Sequence, residues 1–198
     1  MGWARWWGKR KNKTAAEAVP QVQGPTIFEK REALLALSGK LSCGIGTIAE
    51  EVVQATDHPE RYVELWGDRL INRGIEEPIP DLAWIALVDA LDEQGLVREI
   101  DWKQDADNIL FAVHSLLDRR GWLQPAAERG LEQAISPGGY TFDHLRELHE
   151  WLRPHGIVLG HLDINSDSYV LIVVQEDQCE EIERLAETSG HKFYGSFQ

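Results

Sequence analysis

The sequence predicts an α+β fold with a helical N-terminal half and a C-terminal α-β-β-α-β unit, which forms a small, mostly antiparallel sheet covered by helices. The chain has 198 residues, 43% of them hydrophobic, which is enough for a sizeable core. Apolar residues recur at helical spacing in the first two thirds, and two β-branched runs flank a polar turn in the last third. Helices over one face of the sheet satisfy this order most simply.

The chain is expected to contain a tag, a linker and a domain. Residues 1–13 hold five basic side chains and no acid. Tryptophan beside lysine and arginine suits the headgroup region of an anionic bilayer, so this tag is predicted to touch a membrane surface weakly or to dock on a partner. A frayed terminus without a role is the alternative. Residues 14–26 are expected to be a flexible linker and residues 27–198 a single α+β domain. The tag residues that carry the prediction are Trp3, Trp6, Trp7, Lys9, Arg10 and Lys11.

The helices are predicted from capping patterns and apolar spacing. Thr26-x-x-Glu29 and Thr47-x-x-Glu50 each have the capping-box pattern before an apolar run. Glycines between these two patterns are expected to separate the helices. Proline near a helix start and glycine after its end mark the later boundaries. The expected helices lie at about 27–38, from Thr47, at 58–72, between Asp81 and Gly95, between Asp105 and Gly121, at 124–134, between Thr141 and Pro154, and at 177–189.

Four strands are predicted, at 96–102, 157–164, 169–174 and 191–197. The turn Asn165-Ser-Asp-Ser168 separates the two middle runs, which indicates an antiparallel hairpin. The tryptophans of the domain mostly stand at core positions. Trp102 and Trp122 border turns, so a partner surface is their alternative location.

Charge restricts the classes of function. The net charge is −13, from 33 acidic and 20 basic residues, and removing the +5 of residues 1–13 leaves −18 for the rest. With this charge, residues 14–198 are expected to bind nucleic acid poorly. The acids form two blocks, 57–107 with 14 acids and 5 basic residues and 163–187 with 8 acids and one arginine. If the blocks share a face, their field would attract a basic protein; a merely solubilising surface is the alternative.

The acidic positions expected to bind such a partner belong to the first block. They are Asp89, Asp92, Glu93, Asp101 and Asp105. The absence of a convincing catalytic set favours a non-enzymatic binding protein, of the immunity or adaptor type, that engages a basic partner through these residues. A peripheral membrane protein that uses residues 1–13 is one alternative.

A small cysteine-dependent hydrolase or transferase is the other alternative. Cys43 lies in Ser42-Cys-Gly-Ile-Gly46, just before a predicted helix N-terminus, where a thiol can become a nucleophile. A lone cysteine is more often a small buried hydrophobe. No cofactor or metal is expected. Asp163–Asp167 imitates the start of a calcium loop, but Ser168 and Val174 stand where the loop needs glycine and glutamate.

The expected location is the cytoplasm, with the inner face of the membrane as the alternative site of residues 1–13. No segment approaches the roughly 18 consecutive apolar residues of a membrane span, and the start lacks a secretory apolar core. Two lone cysteines, Cys43 and Cys179, are typical of a reducing compartment.

The stretch 81–95, the run Ile100-Asp-Trp-Lys103 and the segment from Tyr140 to Phe193 together resemble an uncharacterised bacterial family of domains of unknown function. The start, rich in tryptophan and lysine, resembles the leading segments of many small bacterial proteins of that kind, some of them suspected toxin-immunity proteins. The resemblance implies a bacterial cytoplasmic protein and transfers no active-site residue.

Overall fold

The computed structural model describes residues 24–122 and 130–197. The tag at 1–13, most of the linker and most of the helix expected at 124–134 lie outside the described residues. The α-helices of the described ranges are α1 Ile27–Leu41, α2 Gly46–Asp57, α3 Pro59–Leu70, α4 Leu82–Glu93, α5 Ala106–Arg119, α6 Thr141–Leu152 and α7 Glu176–Ser189. The strands are β1 Val97–Asp101, β2 Ile157–Asp163, β3 Ser168–Gln175 and β4 Lys192–Tyr194.

The four strands form one antiparallel sheet in the order β1-β3-β2-β4. The predicted hairpin is present as β2 and β3, with Val158 opposite Val174. The first and last strands pair at the two edges, where Asp101 lies opposite Ser168 and His161 lies opposite Tyr194. The α+β fold with helices packed on the sheet is therefore confirmed.

Helices cover both faces of the sheet, so the prediction of helices over one face is wrong. Side chains of a strand alternate between its two faces, and here both alternating sets are buried. One set packs with α1, α2, α4 and α7, and the other packs with α5 and α6. The first set includes Val97, Val158, Leu162, Val170, Ile172 and Val174, and the second includes Ile100, Leu159, Leu171 and Val173.

Helix boundaries depend on burial as well as on caps. Thr26 forms the predicted capping box with Glu29. However, α1 continues through Gly39 to Leu41, and Leu41 is buried in the core. The free energy gained by burying Leu41 outweighs the roughly 1 kcal/mol that one glycine costs inside a helix. The second capping box does not form. The N-cap of α2 is Ile45, and the helix begins at Gly46 without a side-chain cap.

A third apolar cluster lies beneath α2, α3 and α4. It contains Tyr62, Leu70, Ile85 and Ala86, all buried. Packing in this cluster fixes α3 so that its polar side chains, among them Arg69, contact residues of α2 and α4.

Candidate functional site

The five acidic residues expected to bind a partner have different environments. Asp89 is only 5% exposed and accepts hydrogen bonds from Arg73 Nε at 2.8 Å and Nη2 at 2.6 Å. It therefore cannot belong to an exposed binding face. Asp92 and Glu93 end α4 with about half of each side chain exposed, and burial, partly offset by Arg98, raises the pKa of Asp92.

The other two acids lie at and beyond the far end of β1, a strand that spans about 13 Å: Asp101 is its last residue, and Asp105 follows it. The Asp101 carboxylate accepts a hydrogen bond from the Lys103 backbone N–H at 2.7 Å. Asp105 is the N-cap of α5 and accepts from the Asn108 backbone N–H at 2.9 Å. Both residues are exposed, but they stabilise local backbone and are separated from Asp92 and Glu93.

A partly buried polar network connects α2, α3 and α4. Arg69 of α3 donates hydrogen bonds to Glu51 and to the Tyr62 hydroxyl, and its Nη1 donates to Glu93 at 2.7 Å. The Tyr62 hydroxyl donates to Glu51 at 2.7 Å, and burial raises the pKa of Tyr62. The Arg69 guanidinium also lies 4.2 Å from the centroid of the Trp66 ring. The charge of Arg69 is thus already used within the fold.

Beside this network, a groove of about 430 Å³ opens between α2 and α4. Glu50, Glu51 and Glu93 supply three carboxylates to its lining, and Trp66 supplies an indole wall. Three carboxylates against the one guanidinium of Arg69 leave a formal charge of −2. A concave surface with excess negative charge and an aromatic wall is suited to a cationic group.

Of the groove residues, Glu93 alone was predicted as a binding residue from the sequence. For the other polar residues of the groove, the sequence contained one indication, a polar stripe on α2. Thr47, Glu50, Glu51 and Gln54 recur at helical spacing and all line the groove. That stripe indicates an exposed helix face, but it does not reveal that Trp66 of α3 and the end of α4 convert the face into a groove.

A second cavity, of about 350 Å³, lies at the hairpin end of the sheet. Trp102, His161, Asp163 and Tyr194 are among its lining residues. Trp102 is 51% exposed, so its expected place in the core is wrong, and the partner-surface alternative stays a prediction.

A small pocket of about 120 Å³ lies on the other side of Asp163. Trp84 donates from Nε1 to the Asp163 carbonyl at 2.8 Å, and its ring meets His191 edge to face at 4.6 Å. Burial lowers the pKa of His191. The indole and imidazole line this pocket and are held by each other and by the Asp163 carbonyl, which favours a structural role.

Cys43 is exposed and has a positive φ of 54°. Its sulfur accepts a hydrogen bond from Nη1 of Arg120, whose pKa is lowered by burial. A guanidinium can stabilise a thiolate, but it is a poor acceptor for the thiol proton at neutral pH. The catalytic hypothesis for Cys43 therefore stays a prediction. The tag residues predicted to contact a membrane or a partner, from Trp3 to Lys11, lie outside the described residues.

Two other kinds of feature are absent from residues 24–122 and 130–197. Within these ranges, no group of three or more His, Cys, Asp or Glu side chains is placed to hold a metal ion. No helix of the same ranges is both long and apolar enough to cross a membrane.

The architecture is that of an α+β protein with a four-stranded antiparallel sheet between two helical layers and two electronegative concave surfaces. The chain belongs to the family described as "Domain of unknown function (DUF6630)", whose model matches residues 33–196. The predicted membership of an uncharacterised domain family is thereby confirmed, while the likeness to toxin-immunity proteins stays a prediction. Neither a curated protein nor a solved structure matches the chain.

Proposed function

We propose that this protein is a non-enzymatic binding protein that holds a basic side chain of a protein partner in the groove between α2 and α4. The observation that carries the proposal is the lining of this groove, which contains the Trp66 indole and three carboxylates, two of which, those of Glu51 and Glu93, are already paired with Arg69. An immunity or adaptor role in a bacterial cytoplasm is the finer form of the same proposal.

The groove offers a basic side chain two sources of affinity. An arginine or lysine inside it would meet carboxylates in a partly desolvated space, where ion pairs are screened less than at an open surface. A cation near an indole gains about 0.5–2 kcal/mol, and tryptophan is among the residues most enriched at binding hot spots. The net charge of −13 would also speed the approach of a basic protein.

Glu50→Lys in the full-length protein tests the groove. Glu50 is exposed and lies outside the Arg69 network, so its replacement should leave the fold intact. A fluorescent hexa-arginine peptide is the probe, titrated at low and at high salt. We expect the variant to bind at least about tenfold more weakly at low salt, because a like charge then faces the ligand. High salt should weaken binding to the unaltered protein.

Glu187→Lys is the matched control. Glu187 is exposed on α7, in the second acidic block, and its replacement changes the net charge by the same amount. We expect less than about a twofold loss, since a separate surface charge is screened. An equal loss in both variants would mean that the general field of the molecule binds the peptide. That outcome, or unchanged binding by Glu50→Lys, contradicts the groove proposal.

The two alternative functions, a cysteine-dependent enzyme and a peripheral membrane protein, are supported by fewer observations. The hydrogen bond from Arg120 to Cys43 is compatible with a reactive thiol, but it supplies no general base. Contact of residues 1–13 with an anionic membrane also stays a prediction.

A further inference from the structure

The hairpin end of the sheet leaves aromatic side chains uncovered. On the face packed by α5 and α6, Leu159, Leu171 and Val173 are buried. Continuing along the same face toward the hairpin, His161 of β2, Tyr169 of β3 and Tyr194 of β4 remain partly or fully exposed. These rings line the cavity of about 350 Å³. The two helices thus leave one end of the sheet face open.

The aromatic rim spans the sheet from edge to edge. Trp102 follows β1 at one edge, and Tyr194 belongs to β4 at the other. The two side chains are 51% and 40% exposed. Lysine already approaches one of them, since Lys103 Nζ lies 4.1 Å from the centroid of the Trp102 ring. Large aromatic rings held open around a cavity are more typical of a binding surface than of a core.

The floor of the cavity is held by ring stacking. The imidazole of His161 stacks on Tyr194 at 4.8 Å and on Phe197 at 5.2 Å, and it meets Tyr169 edge to face at 5.4 Å. Its Nδ1 is buried and has no hydrogen-bond partner among the described residues. Packing, and not a hydrogen bond at this nitrogen, therefore fixes the ring, and the floor is preorganised before a ligand arrives.

The cavity has excess negative charge. Asp163 and Asp167 supply two carboxylates, and no lysine or arginine of the described residues lines it. Burial lowers the pKa of His161, against a smaller opposing effect of Asp163, so the imidazole is neutral at pH 7. The lining residues thus carry a formal charge of −2 beside three aromatic rings and an imidazole, and the Lys103 ammonium on the Trp102 ring offsets part of this charge.

We propose that this cavity is a binding site for an organic cation of the guanidinium class. A guanidinium is planar and weakly hydrated, stacks on aromatic rings and donates paired hydrogen bonds to carboxylates. The lining offers rings and carboxylates for both kinds of contact. The site lies on the opposite face of the sheet from the groove between α2 and α4, so it is independent of the proposed function. The guanidinium could come from a free small molecule or from an arginine side chain of a protein.

The primary test is titration of the full-length protein with N-acetylarginine amide, followed by NMR on the indole N–H of Trp102. N-acetylcitrulline amide is the matched ligand, because it replaces the guanidinium by an uncharged urea of nearly the same shape. We expect saturable shifts with the arginine compound and at least about tenfold weaker binding of the citrulline compound, since a charged donor makes the stronger hydrogen bond to a carboxylate. Equal binding of both compounds, or no shift of the Trp102 signal, would overturn the proposal.

Two variants locate the site. Measured by calorimetric titration, since Trp102→Leu lacks the NMR probe, both Asp167→Asn and Trp102→Leu should weaken binding of N-acetylarginine amide about threefold or more, because each removes one attraction for the cation. Both residues are exposed, so the fold should be retained, and the thermal midpoint checks this. Glu187→Gln on α7 is the control and should bind normally. A loss caused by Glu50→Lys and not by the two cavity variants would assign the ligand to the groove and overturn this inference.

The hexa-arginine peptide distinguishes the two sources. If the site serves a protein side chain, Asp167→Asn weakens peptide binding as much as it weakens binding of the small amide. If it serves a free small molecule, the amide alone loses affinity. Unchanged binding of both ligands by Asp167→Asn would count against a guanidinium site.

Discussion

Three acids near the end of α4 show how differently one residue type can behave. Asp89, Asp92 and Glu93 all appear in the sequence as part of one acidic block. Yet Asp89 is buried against Arg73, whereas the other two are about half exposed. The helical pattern could not separate them, because α4 is buried almost all round and has no wide solvent-facing stripe. Only the position of Arg73, in the 3-10 turn that follows α3, identifies Asp89 as structural.

Replacing Asp89 should therefore affect stability and not primarily binding. Asp89→Ala leaves Arg73 partly buried without its main carboxylate partner and removes a contact of Arg69 at 3.4 Å. We expect a loss of about 3 kcal/mol in the free energy of unfolding, because breaking a buried ion pair exposes the full desolvation cost of the remaining charge. Urea denaturation measures the loss.

Asp92→Ala is the control for that experiment. Asp92 lies 3.5 Å from Arg98, and both side chains are substantially exposed, so the variant should lose no more than about 1 kcal/mol. A loss below about 1 kcal/mol for Asp89→Ala would show that the buried pair is not important for stability.

At the scale of elements, the sequence predicted the hairpin well because its turn and its two apolar runs are local. Strand order was not predictable in this way, since β1 pairs with β3 and β4 pairs with β2 through contacts between distant residues. One signal for two helical layers was present. The run Val170–Val174 is continuously apolar, which is typical of a strand buried on both faces, whereas alternation is expected when one face meets water.

The candidate sites were less predictable than the elements around them. Trp66 and Glu93 come from separate helices, and their meeting at one groove depends on how α3 packs. Trp102 and Tyr194 stand at opposite edges of the sheet, so their common cavity depends on the strand order. The turn position of Trp102 indicated a partner surface only as the alternative to a core position, and the sequence contained no contact that joins the two aromatic residues.

The approach of β4 to β2 depends on a glycine. A Cβ at Gly160 would lie 2.6 Å from both the Phe193 ring and the Tyr194 carbonyl oxygen. Gly160→Ala should therefore push β4 away and reduce the free energy of unfolding by about 1–3 kcal/mol. Hydrogen exchange should show faster opening of the β4 amides, and the stacking of His161 on Tyr194 should weaken.

Gly39→Ala is the matched control for Gly160→Ala. Gly39 is exposed inside α1, and a Cβ there meets no atom within 4 Å. Alanine should stabilise this position by about 0.5–1 kcal/mol, because it is the better helix former. If Gly160→Ala matched the control, the close approach of the two strands would not constrain β4.

At the scale of the whole molecule, one helix from each acidic block, α4 and α7, lies in the same helical layer, but the two helices pack on different neighbours. The helix α4 of the first block packs with α2, and α7 of the second block packs with α1. The two concave surfaces lie on opposite faces of the sheet. The charge of the body is thus distributed around the fold, and this arrangement favours local pockets over one continuous acidic face as the determinants of binding.

Each face of the sheet also has a histidine with a lowered pKa, so the free energy of unfolding of the whole fold should decrease in mild acid. Burial lowers the pKa of His161 and of His191. The unfolded chain takes up protons at these residues as the pH falls below about 6.5, the ordinary pKa of histidine, whereas the native protein does so only at lower pH. Stability is therefore greatest above that value and is lost as the pH falls through it.

The carboxylates around the two histidines oppose this effect without removing it. Asp163 raises the pKa of His161. Asp81 and Asp163 raise the pKa of His191, and Lys30 lowers it. The rings of Tyr169, Tyr194 and Phe197 add no charge near His161 at these pH values. Each histidine should contribute a slope of at most about 1.4 kcal/mol per pH unit. Urea denaturation at pH 7.5, 6.5 and 5.5 should show a steady decrease in the free energy of unfolding, and His161→Gln should make the decrease shallower. Constant or rising stability toward pH 5.5 would show that these two imidazoles are as easily protonated in the native protein as in the unfolded chain.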